Sequence, residues 1–314
     1  MAYLPFYITP EELAVYQESQ EQEILAGDNV LTWHKYDVEE PFRYYFKLFA
    51  LPFVIAPFLL TFLIHTNDTV DVTIFSFILS VIVSGAFYLT IGLDYRYDYA
   101  FSNKGFLVKK RRNMPIWVNT AVQAVGWFGA LVCVLMVAVA GPIALAGAGA
   151  FILVSFKMLK RQPDEVAEVK VGKREDWLFA YYNKKRKVIR FYHKYDECSK
   201  WNLEKHTVFR AQTRGYSYIF FKTAQDLDAM LETLSNKYGV ECIDFPDHKA
   251  FFEGRPEPRI EDIPSRSLEF PVTDTFELRA RNAPLPEWRR IYNGTWQTES
   301  EIEQSKSELA TAKE

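Results

Sequence analysis

Residues 116–156 read IWVNTAVQAVGWFGALVCVLMVAVAGPIALAGAGAFILVSF, 41 positions without one Asp, Glu, Lys or Arg. About 18 consecutive apolar residues already read as a membrane span, and about 20 cross the hydrocarbon. The run is therefore too long for one span and suits two. Gly141-Pro142 is the natural break, because proline fits the first turn of a helix and not its middle. This predicts a third span near 116–139 and a fourth near 142–159, the latter with Lys157 and Lys160 snorkelling to the interface. A re-entrant hairpin is the alternative for the fourth. Upstream, 45–64 reads as the first span and 72–93 as the second. Pro52 and Pro57 interrupt the first, and a bundle can re-satisfy the backbone groups they free. Between residues 48 and 93 the only formal charges are Asp68 and Asp71.

The averages hide this segregation. The 314 residues are 49% apolar, 16% aromatic and 25% charged, with a formal net charge of −3. A purely soluble enzyme does not need such apolar runs. A pI of about 6.0 argues against a strongly basic nucleic-acid protein. Three cysteines, Cys133 among them within the apolar run, make no disulfide framework and suggest a reducing compartment for the water-facing part. The first 40 residues are polar and acidic, so no cleaved secretory signal is expected.

Orientation follows from basic residues in the short connections. The connection after the first span and the Gly141-Pro142 turn contain none. The connection between the second and third holds Arg96, Lys104, Lys109, Lys110, Arg111 and Arg112, and the fourth ends in Lys157, Lys160 and Arg161. Four crossings put every basic end on one side, which predicts both termini in the cytoplasm of a bacterial inner-membrane protein. No ionisable residue falls mid-span, which argues against a pump. Small residues do recur at helical spacing: Ser76, Ser80 and Ser84 in the second span, Ala144 and Ala148 in the fourth. They read as helix-packing positions, with Asn119 and Gln123 hydrogen-bonding to a neighbour.

The remaining chain reads as follows. Thr9, Pro10 and Glu12 form a capping box that opens a helix to about Leu25. Tyr95, Tyr97, Tyr99 and Phe101 alternate with Arg96, Asp98 and Ala100, and Ser102-Asn103-Lys104-Gly105 is turn chemistry, so 95–108 is a hairpin. Strands are expected at 166–171, 177–182, 188–195, 207–212 and 216–222. A helix opened by Thr223 and Asp226, with Leu227, Met230 and Leu234 on one face, ends at Gly239. A lone hairpin is marginal in water, so 95–108 should join the later strands. Seven short antiparallel strands closed by a helix, with Tyr97-Asp-Tyr99-Ala-Phe101-Ser-Asn103-Lys-Gly105-Phe-Leu-Val108 following a pair of spans, resembles bacterial multi-pass membrane proteins that carry a pleckstrin-homology-like domain. The resemblance implies a cytoplasmic β domain.

The expected organisation is a helix and linker (1–44), spans one and two (45–93), a β-hairpin (94–115), spans three and four (116–160), a β domain with a terminal helix (161–244) and a Pro-rich extended tail (245–314). The fold class is thus a four-helix membrane bundle plus a small antiparallel β domain.

Catalytic and metal motifs are not evident, and no cofactor is expected. His193, Cys198 and His206 match no zinc spacing. The basic clusters carry more. Lys109, Lys110, Arg111, Arg112, Lys157, Lys160 and Arg161, with Lys184, Lys185 and Arg186 at a hairpin tip, read as contacts for lipid or a protein partner. The functional expectation is a non-enzymatic membrane protein whose β domain recruits or senses a protein or lipid partner, or forms a homo-oligomer, with no nucleic acid. The alternatives are a channel or transporter subunit for a small solute, and an immunity or exclusion protein of bacterial competition.

Overall fold

The computed structural model describes residues 4–42, 44–64, 94–115, 167–202, 204–254 and 256–311, with scattered positions between 74 and 88 and between 117 and 127. The chain divides into two compact units. One comprises residues 1–41, 97–109 and 168–314, and the other 42–96 and 110–167.

The first unit begins with α1 (Pro10–Leu25), and the capping box is formed. The Glu12 N–H donates to Thr9 Oγ1 at 3.2 Å, and the Thr9 N–H donates to Glu12 Oε2 at 3.0 Å. This satisfies two of the donors that a helix start leaves open. α1 is mostly polar and buries only Leu13 and Ile24.

A four-stranded sheet follows, in the order β1-β2-β3-β4, from β1 (Leu31–Asp37), β2 (Tyr95–Ser102), β3 (Gly105–Arg112) and β4 (Glu168–Lys173). The hairpin β2–β3 thus lies between a strand from before residue 40 and one from beyond residue 165. Gly105, at φ +158°, lies against β4. A Cβ there would stand 2.5 Å from the Gly172 carbonyl, so the turn tolerates no side chain.

The second sheet runs in the order β8-β5-β6-β7-β9, from β5 (Trp177–Asn183), β6 (Val188–Asn202), β7 (Thr207–Phe220), β8 (Glu241–Asp244) and β9 (Arg266–Pro271). β6 and β7 form one long antiparallel hairpin. Thr213-Arg214-Gly215 is therefore strand and not turn. Gly215 pairs with His193, and a Cβ on it would meet the Tyr195 ring at 2.9 Å, so the glycine makes room for an aromatic neighbour. β8 joins parallel to β5 after α3 (Ala224–Glu232), which again starts in a capping box, from Thr223 and Asp226.

One apolar core joins these parts. Tyr97, Tyr99, Phe101 and Phe106 of the first sheet pack with Val188, Ile189, Phe191 and Phe220 of the second, and Leu227, Met230 and Leu234 close one end. β9 pairs with β7 only over Thr207–Gln212. Beyond Gln212 the outer edge of β7 meets side chains instead of a strand. The Tyr99 hydroxyl donates to the Tyr218 carbonyl at 3.1 Å and accepts from the Phe220 N–H at 3.1 Å. The Trp33 indole N–H donates to the Phe220 carbonyl at 2.9 Å. Two aromatic side chains of the first sheet thereby act as a surrogate strand for the second.

The chain after β8 covers the other face of the second sheet, through α4 (His248–Phe252) and α5 (Pro258–Glu261). Phe251 is fully buried, and its carbonyl accepts from Arg190 Nη1 at 2.7 Å. The Arg190 guanidinium lies within 5.0–5.7 Å of the Tyr181, Tyr192, Tyr216, Phe245 and Phe251 rings. Then come β9, α6 (Thr275–Ala280), the hairpin β10 (Arg289–Tyr292) and β11 (Thr295–Thr298), and α7 (Glu299–Thr311).

In the second unit the longest described element is α2 (Tyr45–Ile64), which contains Pro52 and Pro57. Lys47 in its first turn pairs with Asp94 at 3.3 Å, and Phe58 meets Phe77 at 5.7 Å.

The expected four-helix membrane bundle is corrected. Among the described residues no helix is long and apolar enough to cross a membrane, and the described fold is built mainly on β-sheets. Hydropathy scores a run without registering what interrupts it or packs on it. The expected fourth span, with Ala144 and Ala148, lies outside the described residues, as do Ser76 and most of the second and third spans. The pleckstrin-homology-like reading is corrected too. It placed seven antiparallel strands before a closing helix, whereas β1 precedes the hairpin, β8 runs parallel, and β9 returns from the chain's last third.

Candidate functional site

The β5–β6 turn holds the hairpin-tip basic residues. Asn183 organises it: its side-chain amide donates to the Phe245 carbonyl at 2.7 Å, and its Oδ1 accepts from the Arg186 N–H at 2.9 Å. Lys187 closes the turn with φ at 52°. The three predicted contact residues then separate. Arg186 turns inward and grips the segment after β1. Its Nη2 donates to Asp37 Oδ1 at 2.8 Å and to the Val38 carbonyl at 3.1 Å, and its Nη1 donates to the Pro41 carbonyl at 2.7 Å and to that of Glu40. A guanidinium supplies five donors in a fixed fork, which suits such a clasp. Lys184 and Lys185 remain exposed at the tip.

The tip adjoins a groove. The Phe221 N–H donates to the Lys187 carbonyl at 2.8 Å, and Lys187 Nζ donates to the Lys222 carbonyl at 3.1 Å. Phe221 and Lys222 line a groove of about 370 Å³ between β1 and α3, together with Leu31, Trp33, Ala229 and Met230.

Other predicted residues are placed differently. Lys109 pairs with Glu21 of α1 at 2.6 Å. Lys110 lies over the Tyr95 ring at 4.8 Å, and Arg111 and Arg112 are half-buried on β3. Lys157, Lys160 and Arg161 lie outside the described residues. Ser80 and Ser84 are buried. Asn119 and Gln123 are half-buried in helical stretches.

A second concavity, of about 410 Å³, opens under α1, lined among others by Leu13, Gln17, Lys170, Asp176, His193 and Glu197. Ion pairs fasten the helix above it, Glu12 to Arg279 at 2.6 Å and Glu23 to Lys173 at 3.2 Å. Burial pushes Asp176 up to about 6, with Glu175 adding to the shift. Burial drives His193 down to about 4. Its Nε2 lies 2.9 Å from Ser217 Oγ and its Nδ1 3.0 Å from the Lys194 carbonyl. Cys198 donates its thiol to the Ile8 carbonyl at 3.3 Å, and burial raises its pKa to about 11. His206 stands in a turn with φ at 50°. Among the described residues no three His, Cys, Asp or Glu side chains converge as a metal site.

The stretch from within α1 through α3, which contains the four-stranded sheet, strands β5, β6 and β7 of the second sheet, the tip and the groove, coincides with a known family. The family model for the TsiV2 immunity protein matches residues 17–240. The chain belongs to the TsiV2 immunity protein family. It is 36% identical over 70 residues to immunity protein TsiV2 of Vibrio cholerae serotype O1, a stretch covering 22% of this chain and 29% of that protein. The alignment thus spans less than a third of that relative's length. No solved structure matches.

Membership of the TsiV2 family replaces the resemblance to pleckstrin-homology-like membrane proteins. The inner-membrane placement with cytoplasmic termini is corrected together with the spans, since its premise was four crossing helices and the described residues contain none long and apolar enough. Of the functional expectations, the immunity alternative is the one that family membership supports.

Sequence reasoning missed the strand Leu31–Asp37 and its Trp33, which the groove depends on. A faint signal was present: Leu31 and Trp33 alternate with Thr32 and His34. It also missed Arg186 as a structural clasp, which no local pattern announces.

Proposed function

We propose that this chain is an immunity protein of bacterial competition that binds a toxin protein and neutralises it by stoichiometric, non-enzymatic association. The observation that carries the reading is the family match over residues 17–240, which takes in the four-stranded sheet and strands β5, β6 and β7 of the second. Two features support binding over chemistry. The Ser217–His193 pair is enclosed, at 1% and 2% exposure, and an imidazole held near 4 is a poor general base at neutral pH. The exposed Lys184 and Lys185 beside an apolar groove have instead the makeup of a protein-binding rim.

The test is co-expression with proteins encoded by genes neighbouring this one. The expected result is that one of them arrests growth, that the present chain restores growth, and that the two co-purify at a fixed ratio. Protection that persists at far less than stoichiometric levels of the chain would refute a binding mechanism. An absence of protection against every neighbouring toxin would refute the immunity role.

A further inference from the structure

β1 is the outer strand of its sheet, and among the described residues no strand pairs with its free edge. Natural sheets usually blunt such an edge with proline, a bulge or several charges. β1 reads Leu-Thr-Trp-His-Lys-Tyr-Asp, with no proline and with Lys35 as its one lysine. Beside it lies the groove. Leu31 keeps 52% of its surface exposed. Trp33 stacks on Phe221 at 5.4 Å and on Tyr99 at 5.0 Å, which fixes the apolar floor in place. A floor held in this way is ordered before anything binds.

The rim is charged asymmetrically. Lys222 stands at one end, with Lys184, Lys185 and Lys187 brought alongside by the two contacts between the tip and residues 221–222. Asp226 faces the same groove, but its carboxylate accepts from the Thr223 N–H at 3.1 Å and caps its own helix. An incoming segment therefore meets an open strand edge, a preformed apolar slot and a basic end.

From these three features together we infer that β1 receives an extended segment of a protein partner. The segment pairs along the free edge as an added strand, places one apolar side chain in the groove, and sets carboxylates against Lys184, Lys185 and Lys222. The inference rests on the proposed function, in which the partner is the toxin, and it names the docking surface and the chemistry of the docked segment.

The experiment uses the full chain and the neighbouring-gene toxin that the chain protects against. Affinity is measured for the wild type, for Ala229→Glu, for the double variant Lys184→Glu with Lys185→Glu, and for Lys205→Glu at the far end of the β6–β7 hairpin. Ala229 is exposed on α3, so its substitution leaves the fold intact, which thermal unfolding verifies. Ala229→Glu should weaken binding at least about tenfold by placing a charge in an apolar slot. The double lysine reversal should weaken it about tenfold at low salt and flatten its salt dependence. Lys205→Glu should bind as the wild type does. Hydrogen exchange of residues 31–37 should slow in the complex. Wild-type affinity in Ala229→Glu and the lysine variant, or unchanged exchange in β1, overturns the inference and leaves the immunity role standing. Concentration-dependent protection of β1 without toxin makes a second copy the occupant and also overturns it. A wild-type chain that binds no toxin overturns both readings.

Discussion

Tyr99→Phe removes one oxygen atom and keeps the ring. In the wild type that oxygen serves two backbone groups on the open edge of β7, the Tyr218 carbonyl and the Phe220 N–H, each at 3.1 Å. Tyr99 is 4% exposed, and Phe220 is fully buried. Water therefore has no ready path to replace the lost partner. Leaving a buried backbone group without a hydrogen bond costs about 1–3 kcal/mol, so the pair predicts a loss of about 2–6 kcal/mol. The ring's stacking on Trp33, at 5.0 Å, survives the change. With a urea m-value of about 2 kcal/mol/M, a 3 kcal/mol loss lowers the midpoint by about 1.5 M. The assay is urea unfolding of the full chain, followed by far-UV circular dichroism. Tyr95→Phe, on the same strand but 39% exposed, should move the midpoint by less than about 0.3 M. The Phe220 amide should also exchange faster in Tyr99→Phe. If the two variants unfold within about 0.2 M of each other, the two sheets are not joined through this hydroxyl.

Arg210 is fully buried and donates to the Pro5, Phe6, Glu197 and Ala211 carbonyls while pairing with Asp196. Arg210→Ala should cost about 3–5 kcal/mol, because it leaves Asp196 without its buried cation, and limited proteolysis should then cut before Pro10. Undiminished resistance there would show that other contacts hold the N-terminal segment. Asp176 has a folded-state pKa of about 6, raised by burial. An acid raised on folding binds its proton more tightly when folded, so this group's contribution to stability falls as pH rises from about 4 to about 6. Asp176→Asn should therefore raise the urea midpoint at pH 8 and leave it nearly unchanged at pH 3.5; equal effects at both pH values would show that burial does not raise this carboxyl. Finally, residues 165–244 expressed alone should unfold without cooperativity, since Tyr97, Tyr99, Phe101 and Phe106 belong to the same core. A monomeric, protease-resistant fragment would contradict that.

Local signals were legible where local chemistry decides the outcome. Thr9 with Glu12 and Thr223 with Asp226 start their helices because a capping box satisfies its donors within four residues. The hairpin around Asn103-Lys104-Gly105 was readable because the turn demands glycine. What escaped depends on distant partners. β1 is held by Trp33 reaching Tyr99 and Phe220, more than 60 residues away. Gly215 read as a turn residue because the Tyr195 ring that requires it sits on another strand. From sequence Arg186 reads as a surface contact, since nothing nearby reveals that the 37–41 segment supplies its acceptors. The membrane bundle came from reading apolar runs alone, and the described helices do not support it. For the candidate site, the tip lysines were visible as a basic run, whereas the groove beside them is assembled from β1, β7 and α3 and exists only after folding.

The four-stranded sheet takes its strands from 31–37, 95–112 and 168–173, with about 55 residues between one stretch and the next. That wiring sets a timetable during synthesis. Tyr97 and Tyr99 leave the ribosome well before Phe220, the residue that meets them from the other sheet. The delay is roughly 120 residues, or about 6–24 s at 5–20 residues per second. For that interval the aromatic face of β2 has Trp33 beside Tyr99 but lacks its cover from β7, so the nascent chain is a natural client for a chaperone that shields exposed aromatic surface. A chain truncated anywhere before Phe220 never gains that cover from β7, and degradation or aggregation is its expected fate.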